Sequence, residues 1–205
     1  MNYKTLTTTT YNIHASHYEQ EKGEYTQKYL TDDVHLFLNH LKGKRVIDIG
    51  AGPGRDAQIF KDKGFEPYCI DTSISMVNLC TKKGLLAEVI DLEDLRLVFS
   101  ANSFEGAWAY TSLLHIPKTN IPRTLHSIQH IIIPQGILYL GMKEGSFEGF
   151  KQYKTTTEKR YFTFYTSTEL RNLLNPCFEI LHESKVVLGP EHTYLNFLCQ
   201  SRKEQ

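Results

Sequence analysis

Several features are missing from this 205-residue sequence, and each absence closes a class of function. There is no excess of charge: 23 basic residues face 23 acidic ones. Dedicated DNA and RNA binders draw most of their affinity from phosphate contacts and usually carry a basic surplus. There is no apolar run near the roughly 18 to 20 residues that a membrane span needs. Cysteine is sparse, with Cys69, Cys80, Cys177 and Cys199 far apart and no CxxC spacing. That pattern excludes a disulfide framework and a cysteine zinc site, and it fits reduced thiols in a cytoplasm. The opening residues, MNYKTLTTTTYNIHASHYEQ, carry neither an apolar h-region nor a small-residue cleavage site, so no signal peptide is expected.

What is present is ordinary globular material. The chain is 40% hydrophobic and 22% charged, which rules out wholesale disorder. Its length suggests one domain able to bury about 70% of its unfolded surface. We expect an arm and cap helices over residues 1–42 and a ligand-binding domain over 43–205. The TTTT run at Thr7 to Thr10 is a poor helix former and is expected to be a flexible arm. From Tyr25 to Leu41, apolar residues recur at offsets of three and four. This periodicity predicts one amphipathic helix, ended by Gly43.

From residue 45 the period changes. Arg45 to Gly50 reads as a short buried strand. Helix then follows over about Arg55 to Lys63, strand over Glu66 to Ile70, and helix from the N-cap Ser73 to about Lys82. Further strands are expected at Leu85 to Ile90, Phe104 to Ala109 and Ile137 to Met142. A helix between the last two starts near Pro122 and stops at Pro134-Gln135-Gly136. Alternation of this kind predicts a parallel sheet covered by helices on both faces. Gly145 to Arg160 reads as a polar loop. Tyr161 to Tyr165 reads as a strand, and Ser167 to Leu174 as a short helix. Cys177 to Val187 and His192 to Gln200 read as two antiparallel strands joined by a turn at Gly189-Pro190.

The chemistry concentrates in Val46-Ile47-Asp48-Ile49-Gly50-Ala51-Gly52-Pro53-Gly54-Arg55-Asp56. A buried strand enters a turn with alternate glycines, and a helix leaves it. Such a turn lets a ligand approach the main chain, and the amides at the helix start favour an anion. A P-loop would need GK[ST] at its end, and no lysine is there. A dinucleotide fingerprint G-x-G-x-x-G would need glycine where Arg55 stands. The pattern D-x-G-x-G-x-G fits at every fixed position: Asp48, Gly50, Gly52 and Gly54.

At this point the chain resembles the class I S-adenosylmethionine-dependent methyltransferases. The resemblance covers about residues 45 to 145. It implies a Rossmann-like, doubly wound α/β fold with a seven-stranded, mostly parallel sheet. The implied strand order is 3-2-1-4-5-7-6, with an antiparallel C-terminal strand and N-terminal cap helices. S-adenosyl-L-methionine is the implied cofactor and S-adenosyl-L-homocysteine its product. Carried over residue by residue, the cofactor site comprises Asp48, Gly50, Ala51, Gly52, Gly54 and Arg55 in the turn. Asp71 ends the second strand and would hold the ribose hydroxyls, a role that suits an acceptor-only carboxylate. Thr72 and Met76 follow, and Met76 would pack on the adenine. Asp91 and Leu92 would meet the adenine edge. Tyr110 and Thr111 leave the fourth strand beside the sulfonium, in Phe104-Glu105-Gly106-Ala107-Trp108-Ala109-Tyr110. The family has Asp where Glu105 stands.

His115 is the titratable candidate for a base, with Tyr110 as a second catalytic candidate. Tyr11 and Tyr18, in a segment similar to the family's Y-x-x-x-A-x-x-Y entry, are expected on the substrate side. His115, Lys143 and Arg160 are expected there too. His14 and His17 lack a third partner and read as solvated, so no metal is expected. The N-P-P-Y turn of base and glutamine amine methylation is missing after the fourth strand. With the neutral charge, this favours a small-molecule acceptor over RNA or protein, methylated at O, N or S by in-line displacement. A non-catalytic binding or regulatory protein on the same fold is the alternative, and a nicotinamide oxidoreductase the remoter one. A monomer or homodimer, with no membrane partner, is expected.

Overall fold

The computed structural model describes residues 2–21, 25–152, 157–189 and 192–203. Three helices come first: α1 (Tyr3–Glu21), α2 (Tyr25–Tyr29) and α3 (Thr31–Asn39). Strand and helix then alternate through β1 (Arg45–Ile49), α4 (Arg55–Asp62), β2 (Glu66–Asp71), α5 (Ile74–Lys82) and β3 (Leu86–Val89). The alternation continues with α6 (Leu95–Val98), β4 (Phe104–Tyr110), α7 (Ile121–Ile131) and β5 (Ile132–Lys143). A hairpin of β6 (Glu148–Gln152) and β7 (Lys159–Thr163) follows, then α8 (Ser167–Leu174), β8 (Phe178–Val187) and β9 (Thr193–Ser201).

Seven strands form one sheet in the order β3-β2-β1-β4-β5-β9-β8. Setting aside the separate β6-β7 ribbon, this is the expected 3-2-1-4-5-7-6 order. β1 to β5 pair in parallel, and β9 runs antiparallel to both β5 and β8. The period-2 alternation of β1 explains the two-faced core. Ile47 and Ile49 join one cluster with Leu125, Ile128 and Leu138. Val46 joins the other with Phe37, Phe60, Trp108 and Tyr139. Each such side chain, fully buried, contributes about 1.5–3 kcal/mol relative to exposure.

Four expectations are corrected. Thr7 to Thr10 are helical, inside α1. Their hydroxyls explain why propensity is overridden: Tyr161 N–H donates to Thr7 Oγ1 (3.1 Å), and Thr10 Oγ1 donates to the carbonyls of Leu6 (3.0 Å) and Lys159 (3.3 Å). The threonine tract therefore satisfies the edge of β7, and Thr10 is fully buried. The single helix expected over Tyr25 to Leu41 is two helices meeting at the buried Leu30, and the second ends at Asn39, before Gly43. α2 turns toward the ligand crevice, whereas Val34, Phe37 and Leu38 of α3 serve the core. The polar loop of 145–160 holds β6 and the start of β7, while residues 153–156 lie outside the described ones. Finally, Pro134-Gln135-Gly136 lies inside β5, where the register to β4 shifts between Phe104 and Gly106 and Gln135 takes φ 58°. Of the Gly189-Pro190 turn, Pro190 lies outside the described residues.

Candidate active site

A cavity of about 230 Å³ opens at the carboxyl ends of β1, β2, β4 and β5, roofed by α1 and α2. This is where open α/β sheets bind ligands. The wall brings together Asp48, Gly50, Ala51, Gly52, Arg55, Asp71, Thr72, Met76, Leu92, Tyr110 and Thr111. Tyr11, Tyr18, His115, Lys143 and Arg160 line it too.

The turn after β1 is built to expose main chain. Gly50 takes φ +71°, and a Cβ there would stand 2.4 Å from Cβ of Ser112. Gly52 takes φ +54° and has open space where its Cβ would be, so the bare backbone faces the cavity. Its amide donates to Asp71 Oδ2 at 3.0 Å, while the Ser73 amide donates to Oδ1 at 2.8 Å. Burial raises the Asp71 pKa, and the amides of Ser73, Gly52 and Thr72 pull the other way. Ser73 caps α5 by accepting from Met76 N at 3.2 Å. This cap places the buried Met76 in the wall.

Asp48 is 3% exposed, and among the described residues its Oδ2 makes no hydrogen bond. Burial first, then the neighbouring Asp56, Cys80 and Asp71, hold its pKa well above the ordinary carboxylate value. Ser112 Oγ is likewise buried without a hydrogen-bond partner among the described residues. Buried polar atoms of this kind are rare and call for an explanation. A ligand with a cationic amino group and hydroxyl donors supplies one. A nucleoside joined to an amino acid carries both, so the residues present fit S-adenosylmethionine.

Two expected cofactor residues stand apart from the cavity wall. Gly54 packs against Leu85 and Cys80, which a Cβ would meet at 2.6 and 2.9 Å, so its role is close packing of the helix start. The Asp91 carboxylate is held by Lys4 Nζ at 2.6 Å. Leu92, its neighbour, does line the cavity.

The other half of the cavity is aromatic and cationic. Arg160 is 3% exposed, and its guanidinium carbon lies 5.1 Å from the Tyr11 ring, 5.5 Å from Tyr18 and 5.1 Å from Phe162. Lys143, also buried, sits 4.8 Å from the Phe164 ring. Arg160 Nη1 donates to the Tyr11 hydroxyl at 2.9 Å, and that hydroxyl lies 2.7 Å from His115 Nε2. His115 Nδ1 lies 2.6 Å from the Tyr161 carbonyl, which can only accept. The proton is therefore on Nδ1, and Nε2 accepts from Tyr11. Burial, with a smaller contribution from the Arg160 charge, lowers the His115 pKa to about 3. The imidazole is neutral at physiological pH and already engaged at both nitrogens. It positions Tyr11, and the expectation of a titratable base at His115 is corrected.

Tyr110 is likewise held in its protonated form. Burial, then the nearby Tyr25, push its pKa far up. Its hydroxyl meets that of Tyr25 at 2.8 Å, and its ring fits only because position 141 is glycine, where a Cβ would lie 2.1 Å from Tyr110 Cδ2. Thr111 beside it takes φ +57°, uncommon for a β-branched residue and concentrated at functional sites.

The sequence reading missed Tyr25, Thr26, Asp56 and Tyr194 of the wall. Asp56 accepts from Thr26 Oγ1 at 2.5 Å and from Trp108 Nε1 at 2.8 Å, tying α2 to the core. Its signal was present: an acid in the first turn of α4, beside the glycines. His14, expected to be solvated, pairs with Glu158 at 2.7 Å. Among the described residues no group of three or more His, Cys, Asp or Glu side chains could hold a metal ion, and no helix is long and apolar enough to cross a membrane.

Residues 23–176 match the family model described as a methyltransferase domain. The chain belongs to that family, the S-adenosylmethionine-dependent methyltransferases of the class I fold. A curated relative, the O-methyltransferase rstn1 of Aspergillus nomiae, is 29% identical over 150 residues, which are 63% of this chain and 64% of that protein. The match thus spans less than two thirds of the relative's length. Among solved structures, a SAM-dependent methyltransferase from Methanosarcina mazei superposes with a TM-score of 0.74 at 20% identity, covering 86% of this chain and all of that one. The 1,6-didemethyltoxoflavin-N1-methyltransferase of Burkholderia thailandensis, crystallised with bound 1,6-didemethyltoxoflavin and S-adenosylhomocysteine, also gives 0.74, at 18% identity. It covers 99% of this chain and 92% of its own. These two likenesses concern the fold.

Proposed function

We propose that this methyltransferase carries a methyl group from S-adenosylmethionine to an oxygen of a small-molecule acceptor. The observation that carries the reading is the division of one cavity into two chemistries. Asp48, Asp71 and the bare main chain at Gly52 lie on one side. Arg160, Lys143 and the tyrosines lie on the other. The O-methyltransferase name of the Aspergillus relative supports oxygen as the methylated atom.

Asp48 and Ser112 would hold the amino-acid end of the cofactor, with the amides of the α4 start near its carboxylate. Asp71 would accept from the ribose hydroxyls, and Met76 and Leu92 would sandwich the adenine. S-adenosylmethionine supplies an already activated methyl group on a cationic sulfur. The chain's task is alignment and exclusion of water, and orientation alone is worth about 7–11 kcal/mol. α1 and α2 provide the exclusion, through Tyr11 on His115 and Tyr25 on Tyr110. Among the described residues of the cavity no side chain is poised as a strong base. The reading therefore expects an acceptor oxygen that is acidic enough to ionise near neutrality, or one that passes its proton to water.

The test is calorimetric titration with S-adenosylhomocysteine, followed by methyl transfer to a panel of phenols, alcohols, amines and thiols. Homocysteine-product binding with turnover confined to oxygen acceptors is expected. Tight NAD binding without S-adenosylhomocysteine binding would overturn the reading, and binding without turnover on any acceptor would favour the non-catalytic alternative.

A further inference from the structure

The acceptor half of the cavity carries charge of one sign. Among the described residues of the wall, the carboxylates are Asp48, Asp56 and Asp71. All three stand on the β1, α4 and β2 side. Asp56 is committed to Thr26 and Trp108, and Asp71 to the amides of Gly52 and Ser73. Across the cavity, at the end of β5 and on β7, stand the buried cations Lys143 and Arg160.

Keeping two cations buried is costly, because desolvation penalises each. Aromatic faces repay part of that cost, and both cations have them. Nε and Nη2 of Arg160 are buried and make no hydrogen bond among the described residues. A guanidinium matches a carboxylate with two parallel hydrogen bonds, so a bound acid would satisfy both atoms. The rest of this wall is flat and apolar with hydroxyl tips: Tyr11, Tyr18, Tyr25, Tyr110, Phe162 and Tyr194. Such a lining stacks on a planar ring.

Resting on the methyltransferase reading above, we propose that the acceptor is an aromatic acid. Its carboxylate sits on the Arg160 and Lys143 side, and its ring lies among the tyrosines. The segregation also tells acceptor from cofactor. The cationic end of the cofactor belongs with Asp48, and an anionic acceptor placed there would meet three carboxylates. Arg55, in the first turn of α4, is the wall cation on the cofactor side.

The test uses wild-type protein saturated with S-adenosylhomocysteine. Matched acid and amide pairs are titrated into it by calorimetry: 4-hydroxybenzoate and 4-hydroxybenzamide, 4-hydroxyphenylacetate and its amide, 4-hydroxycinnamate and its amide. In at least one pair the acid is expected to bind about tenfold or more tighter, the scale of a charge-assisted hydrogen bond. Arg160→Met should erase that preference while leaving S-adenosylhomocysteine affinity within about threefold, well under one such bond. Arg160→Lys should retain part of it. Lys143→Met gives an independent reading should Arg160→Met fold poorly. Amides binding as well as acids in every pair, or no acid binding at all, overturns the proposal. So does an acid preference that survives both methionine variants, or an Arg160→Met protein that loses the product nucleoside instead. If wild-type protein does not bind S-adenosylhomocysteine, the parent reading fails. If it does and no acid preference appears, only this proposal fails.

Discussion

The hydroxyl of Tyr11 donates to Nε2 of His115 across 2.7 Å, joining α1 to the turn after β4 over 104 residues of sequence. The same hydroxyl accepts from Arg160, so one oxygen ties three elements of the aromatic and cationic wall. Neither partner is exposed, and that makes the link worth testing.

Tyr11→Phe keeps the ring but deletes the oxygen. His115 Nε2 then loses its donor in a buried place, which costs about 1–3 kcal/mol. For a chain of this size that lowers the melting temperature by roughly 2–12 °C. Turnover should fall further than stability explains, because Arg160 loses its fixed position. Affinity for S-adenosylhomocysteine should stay near wild type. A large drop in that affinity would move Tyr11 from the acceptor wall to the cofactor.

Asp48 trades stability for binding. Its folded pKa lies above its unfolded value, chiefly through burial. Between the two values the folded state holds more protons than the unfolded one, so stability falls as pH rises through that window. Asp48→Asn removes the penalty. The ligand-free variant should be more stable at neutral pH by about 0.5–2 kcal/mol, and its stability should fall less as pH rises. It should also bind S-adenosylhomocysteine more weakly by about 1.5–3 kcal/mol, having lost the charge that meets the amino group. Thermal melts from pH 4 to 8, with and without product, check both halves. A variant destabilised at neutral pH and unchanged in binding contradicts the assignment.

Much of this was legible from residues alone. Asp48 to Gly54 declared a strand, a bare turn and a helix, because alternate glycines after a β-branched run have few other uses. Asp71 ends the next strand at the same edge of the sheet. Its ribose role, and the assignment of Arg160 and Lys143 to the acceptor side, come only through the family resemblance and belong to the proposed function. The cap was less legible. Thr7 and Thr10 argue against helix by propensity, yet their hydroxyls bond to β7, a contact 149 to 154 residues away. Leu30 sits in phase with the apolar stripe, and nothing local marks it as a break. His115 reads as a titratable base in sequence because its burial is a property of the fold. Gly141, which makes room for the Tyr110 ring, looked like any glycine in a strand.

Asp71→Ala should weaken S-adenosylhomocysteine by about 1–3 kcal/mol, a factor of roughly 5–150. The carboxylate has two tasks: it anchors the amides of Gly52 and Ser73 and, in the proposed function, it meets the ribose. Asp71→Asn keeps one acceptor oxygen and should lose less. Comparing each variant's affinities for S-adenosylhomocysteine and for homocysteine alone separates the tasks. If the ribose contact matters, only the nucleoside affinity changes. Equal losses for both would reduce Asp71 to a brace for the turn.

Lys4 closes the end of the cavity where the proposed function puts the adenine. Its ammonium lies 2.6 Å from Asp91 and 2.7 Å from Glu93, and Tyr3 donates to Glu93 as well. These contacts pin the start of α1 across the loop that follows β3. The lysine is about one-third exposed, with a side-chain accessibility of 34%, so the pairs add little to global stability. Their effect should be kinetic, because product must leave past α1. Lys4→Ala should speed release of S-adenosylhomocysteine several-fold while moving the melting temperature by only a degree or two. Salt screens such pairs at a Debye length of about 3 Å in 1 M salt. Raising ionic strength should therefore accelerate release from the wild type and much less from Lys4→Ala. Stopped-flow displacement of bound product measures this directly. The same salt response in both proteins would show that the Lys4 clasp does not govern the exit.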